Sequence, residues 1–238
     1  MPPPLAALAD LLRRPSSEQL HEGLYAILRA EQAVVASHAE RTEVSRALDL
    51  AQAAYGDLVG VVVGREDALL DGARDGEWSL RDLLRHVIAA ELRYAAQIDY
   101  SATRADGDPV PIPPDRLPCD RLSPPDPAFA GSRDGGIVEV LELVGVARRS
   151  TDTRLATLGD ETLARPTRWG AHDTDVRTRL HQIGVHLTEA AIQAAKMLAD
   201  SPGDLRGIVR RLCFIRGLHE RWSDSVARGE LDRRYAKL

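Results

Sequence analysis

The sequence predicts an all-α protein, a four-helix bundle with a long crossover loop and additional N- and C-terminal helices. Apolar residues recur at helical intervals through successive long segments, turn-forming residues fall between those segments, and no stretch alternates like a half-buried strand. Composition agrees with a packed globular chain, with 44% apolar and 28% charged residues in 238. Aromatics are only 4%, so the core must be built from Leu, Val, Ile and Ala.

Residues 5–13 and 17–38 read as two helices broken at Pro15, the second with Ser17 as cap and Leu20, Leu24, Ile27, Leu28 and Val34 inward. The next, 43–64, places Val44, Leu48, Ala51, Tyr55, Leu58 and Val62 on one face. Gly56, Gly60 and Gly64, with the β-branched run Val61–Val63, suggest that its C-terminal end is loosened. Gly76 closes a loop, and Ser79 with Asp82 three residues on forms a capping box for a helix over 79–100. Its inner stripe is Leu80, Leu83, Leu84, Val87, Ile88, Tyr94, Ala95 and Ile98.

Residues 101–133 hold eight of the fourteen prolines, which predicts an irregular crossover or lid. A helix over 136–158 follows on Ile137, Val140, Leu141, Val144 and Leu155. Pro166, Trp169 and Gly170 mark a loop, and Asp173 or Asp175 starts a helix reaching Leu198. Ser201-Pro202-Gly203-Asp204 then opens a last helix through Leu205, Ile208, Val209, Leu212, Ile215 and Trp222. The chain thus divides into a helical extension (1–42), the bundle (43–200) and a C-terminal helical extension packed on it (201–238).

A net charge of −5 and a pI near 5.8 argue against nucleic acid as a partner, because phosphate binding needs a basic surface. No apolar run approaches the ~20 residues that span a bilayer, and the N-terminus lacks a signal-peptide pattern. Two isolated cysteines, Cys119 and Cys213, form neither a disulfide framework nor a zinc knuckle. The expectation is a cytoplasmic protein with no membrane partner.

The residues that carry chemistry are His86 and His186, each about eight to ten residues into its helix. Imidazoles brought together from two helices are how bundles build a core metal site. By ~100° per residue, His86 lies beside Leu83 and Ala90, and His186 beside Ile183 and Ala190. Gln182, His186, Glu189, Ala190 and Gln193 share one side of their helix. Glu189 is therefore a candidate third metal ligand beside His86 and His186. His181 points about 140° away and cannot easily serve the same ion. Glu91 falls in the middle of an apolar stripe and needs a partner such as an Arg from another helix. Trp78 and Trp169 precede the two His helices, as loop anchors or as walls of a ligand opening.

The stretch Gly76-Glu77-Trp78-Ser79-Leu80-Arg81-Asp82-Leu83-Leu84-Arg85-His86 resembles the Gly-x-Trp-Ser-x-(Arg/Lys)-(Asp/Glu)-x-x-x-His start of the second helix in the DinB/YfiT superfamily. His186-x3-Ala190-x2-Gln193 is similar to that superfamily's His-x3-His-x2-Gln helix, and the resemblance covers roughly residues 43–200. It implies a four-helix bundle, usually a homodimer, holding zinc or nickel on three histidines. It further implies a transferase or isomerase that uses a low-molecular-weight thiol, of the bacillithiol or mycothiol type, on a small electrophilic substrate; mycothiol-dependent maleylpyruvate isomerase is one such member. His86 takes the first ligand position and His186 the second, but the third is Ala190, which has no donor atom. The alternative is a metal-free member that keeps the bundle as a binding or interaction protein without catalysis.

Overall fold

The computed structural model describes residues 5–36, 42–73, 77–198 and 204–222, together with Gly229 and 232–234 near the C-terminus. The helices are α1 (Leu5–Arg13), α2 (Glu18–Ala36), α3 (Glu43–Val62), α4 (Leu80–Thr103), α5 (Pro127–Gly131), α6 (Ile137–Leu155), α7 (Val176–Met197) and α8 (Asp204–Trp222). Around the bundle α3 packs on α7, α7 on α4, α4 on α6, and α6 back on α3; α8 lies on the outer side of α3, and α2 on α8. One continuous apolar core includes Leu8 of α1, Leu24 of α2, Leu58 of α3, Leu84 of α4, Val144 of α6, Leu187 of α7 and Leu212 of α8. The residues Gly76 and Ser201–Gly203, the end of the predicted second helix at 37–38, and the inward positions of Val34, Ile215 and Trp222 lie outside the described residues and side chains.

Helix starts are set by short polar side chains. Thr42 caps α3 by accepting from the Ser45 N–H, and Asp160 accepts from the N–H groups of Glu43 and Val44 at 2.9 and 3.0 Å. The expected capping box of α4 is present: Ser79 Oγ accepts from the Asp82 N–H at 3.1 Å, and Asp82 accepts from the Ser79 N–H at 3.2 Å. Asp175, one of the two candidates, is the N-cap of α7. For α6 the partner is distant in sequence, as the Ile137 N–H donates to Asp67 at 2.8 Å.

Three expectations need correction. A two-stranded antiparallel hairpin exists, β1 (Pro166–Trp169) with β2 (His172–Asp175). Its strands are four residues each, too short for an alternation pattern to show, and the turn is made by Gly170 at φ +58°. The α3 terminus is not loosened at Gly56 and Gly60, because the helix continues to Val62 and these glycines are contact points for α8. A Cβ at Gly60 would stand 2.6 Å from the Arg210 Cα, so a side chain there would push α8 away. The proline-rich 101–133 segment is not wholly irregular: α4 extends to Thr103, a 3-10 turn spans Pro114–Arg116, and Asp126 caps α5.

Between α4 and α6, Arg148 Nη1 donates to both carboxylate oxygens of Glu91 at 3.1 and 2.9 Å, with both side chains buried. This is the arginine partner that Glu91 required. Burial pushes the Glu91 carboxyl up, and the facing guanidinium opposes that shift.

Candidate functional site

Because α4 and α7 are neighbours, the two histidines meet although a hundred residues separate them. His86 Nε2 and His186 Nε2 are 3.0 Å apart, with ring centroids 4.9 Å apart. Trp78, just ahead of the Ser79 cap, sets an edge-on ring 4.9 Å from His86, and Tyr94 does the same to His186 at 5.7 Å. The pair forms part of the wall of a cleft of about 810 Å³. Gly72, Ala73, Glu77 and Trp78 contribute to it from ahead of α4; α4 contributes Leu83 and His86; α7 contributes His186, Glu189, Ala190, Gln193, Lys196 and Met197. Trp78 therefore lines this cleft while remaining 48% exposed.

Burial first, then the neighbouring charges of His86 and Arg179, push His186 down to about 4. Burial also lowers His86. Both rings are consequently neutral at pH 7. A neutral imidazole carries one N–H and one lone pair, so across the Nε2–Nε2 contact one ring donates and the other accepts. The Nδ1 atoms of such a pair are then one acceptor and one donor.

A tetrahedral ion with nitrogen bonds of ~2.0–2.1 Å holds its ligand nitrogens ~3.3 Å apart. The histidine pair is close to that spacing. The third position is not: Ala190 stands on the cleft wall with no donor, and Glu189 is an exposed residue of the same wall. Among the described residues no group of three His, Cys, Asp or Glu side chains is disposed to hold a metal ion. The donor set thus supplies two ligands and does not fit a resident three-ligand zinc or nickel centre.

The other sequence candidates separate cleanly. His181 faces Glu43 at 3.4 Å, on a different side of α7 from the pair. Gln182 is not in the cleft wall; its Oε1 accepts from Arg179. Cys119 is half-buried at φ 58°, and burial together with Asp126 pushes its thiol up, away from thiolate. The residue that sequence reasoning missed is Arg179. It is 1% exposed, with its guanidinium 4.2 Å over the Tyr94 ring and 5.6 Å from that of Trp169. Its seven-residue spacing from His186 was a readable signal, since positions seven apart share a helix face.

The profile of the DinB superfamily matches residues 7–189. The chain belongs to the DinB superfamily. The match starts within α1, upstream of the motifs that carried the resemblance. Among solved structures the chain is similar to YfiT from Bacillus subtilis, described as a probable metal-dependent hydrolase with an unusual four-helix bundle topology. The identity is 16%, covering 69% of this chain and 93% of that one, with a TM-score of 0.49. No curated protein matches the chain. Among the described residues no helix is long and apolar enough to cross a membrane.

Proposed function

We propose that this DinB-superfamily chain binds a small organic ligand in the cleft between α4 and α7 without a resident metal centre. Ala190 carries the reading: it occupies the cleft wall one turn after His186, where a third imidazole would be needed, and among the described residues no His, Cys, Asp or Glu completes a group of three. The cleft volume suits a metabolite-sized ligand. Trp78, Leu83 and Met197 offer apolar contact, while the neutral histidine pair and Gln193 offer hydrogen bonds.

One observation favours a second reading, a zinc- or nickel-dependent transferase or isomerase acting with a low-molecular-weight thiol on an electrophile. It is the 3.0 Å approach of two neutral imidazole nitrogens. Elemental analysis of protein purified without an affinity tag, beside a His186→Ala control, separates the two. Substoichiometric metal in both proteins, even after zinc or nickel supplementation, supports the ligand-binding reading. Near-stoichiometric metal that is lost in His186→Ala overturns it and directs work to thiol-transfer assays. The reading includes a homodimer, supported by exposed Leu50 on α3 and exposed Val185 and Ile192 on the adjacent α7. Light scattering tests it, with a monomeric mass as the contrary result.

A further inference from the structure

The α4–α7 contact near the histidine pair holds a buried cation, Arg179, that faces amide oxygens. The Arg179 Nη1 donates to Gln182 Oε1 on α7, and Nη2 donates to Gln97 Oε1 on α4. Its Nε has no hydrogen-bond partner. Among the described residues no carboxylate lies within ion-pair distance of it, in contrast to buried Arg148 and Arg216, which face Glu91 and Glu31 at 2.9 and 2.8 Å. Among the described residues, buried Arg148 and Arg216 are thus paired with carboxylates, whereas Arg179 faces neutral amides. An unpaired buried charge is costly, and two amide oxygens compensate it less than one carboxylate does.

We propose that Arg179 is the anchor of a carboxylate-binding subsite, in which a ligand carboxylate replaces the amide oxygens of Gln97 and Gln182. The two terminal nitrogens already donate to one oxygen each, the pattern that a bidentate carboxylate satisfies with both of its oxygens. The groups covering the guanidinium are side chains that can swing aside without backbone movement: Gln97, Gln182 and Tyr94 are half-buried, and Trp169 is exposed at the hairpin turn. Tyr94 and Trp169 flank the guanidinium, so a planar acid, above all an aryl carboxylate, matches the surroundings. Tyr94 also contacts His186, which joins this subsite to the cleft above. The assignment rests on residues of α4, α7 and the hairpin and does not depend on whether the histidines carry a metal.

The test is calorimetric titration of the full-length protein with benzoate, in EDTA and at constant ionic strength held by chloride, with inorganic phosphate as the second probe. Wild type binds benzoate saturably, and Arg179→Met weakens that binding at least tenfold. Because Arg179→Met removes a buried group and risks misfolding, Gln182→Glu is the decisive variant. It keeps Arg179 and supplies an internal carboxylate at nearly unchanged volume. Gln182→Glu therefore raises the thermal midpoint without ligand and loses benzoate affinity at least tenfold. Equal benzoate affinity in wild type and Gln182→Glu, or no saturable benzoate binding to wild type, overturns the proposal. Binding of phosphate with benzoate excluded overturns the carboxylate assignment. The EDTA keeps these outcomes separate from the metal-content experiment, whose result stands whichever way the titration falls.

Discussion

Restoring the missing donor offers the sharpest test of the site. In Ala190→His the new imidazole stands at i+4 from His186, the spacing at which two histidines on one helix face ligate a single ion. Ala190 is 3% exposed and lines the 810 Å³ cleft, so the side chain has open volume to enter. The existing pair needs to separate only by about 0.3 Å, from 3.0 Å toward the ~3.3 Å of a tetrahedral site. Two ligands then become three, with one position left open. An ion that binds only the folded chain at a free concentration of 100 times its dissociation constant adds ~2.7 kcal/mol of stability. At ~2–4 °C per kcal/mol for a chain of this size, zinc should raise the unfolding midpoint of Ala190→His by roughly 5–11 °C, reversed by EDTA. Elemental analysis of the same sample should give about one zinc or nickel per chain, against little in wild type. Should Ala190→His bind no more metal than wild type, with no zinc-dependent shift, the placement of the cleft around the histidine pair is wrong.

Three further predictions follow from electrostatics and capping. His186 has a folded pKa near 4, below the ordinary 6.5, so the folded chain resists a proton that the unfolded chain accepts. The stability this confers is complete above about pH 6.5 and is lost as pH falls toward 4, by about 3 kcal/mol at most; urea midpoints at pH 7, 5 and 4 should fall more steeply in wild type than in His186→Gln, and parallel curves would refute it. Arg148→Met leaves the buried Glu91 without its counter-ion and should cost about 3–5 kcal/mol, whereas the double variant Glu91→Leu/Arg148→Met should recover most of that; denaturant titration decides, and equal losses in both would show that no coupling exists. Ser79→Ala removes one half of the α4 capping box and should cost about 1 kcal/mol, measured the same way, with an unchanged midpoint as the contrary result.

Helix starts show how much was legible and why. Ser79, Asp82 and Asp175 were readable because capping is local chemistry, complete within one turn of the chain. Asp67 at the start of α6 and Asp160 at the start of α3 were not, since each reaches a helix about 70 or more residues away. The glycines of α3 illustrate the same division. As isolated residues they signal weakness, and only the approach of the α8 backbone turns Gly60 into a packing requirement.

By itself, the sequence determined the helical class, the inner faces, the two histidines as the centre of interest and the absence of a donor at Ala190, because periodicity and side-chain chemistry are properties of a local segment. The tertiary structure decided that His86 and His186 meet through Nε2, that Trp78 lines their cleft, and that Arg179 is buried opposite two glutamines in place of a carboxylate. Those facts depend on which helices become neighbours and on their rotation about their axes. Both are fixed by the packing of the whole core, and no single segment encodes them.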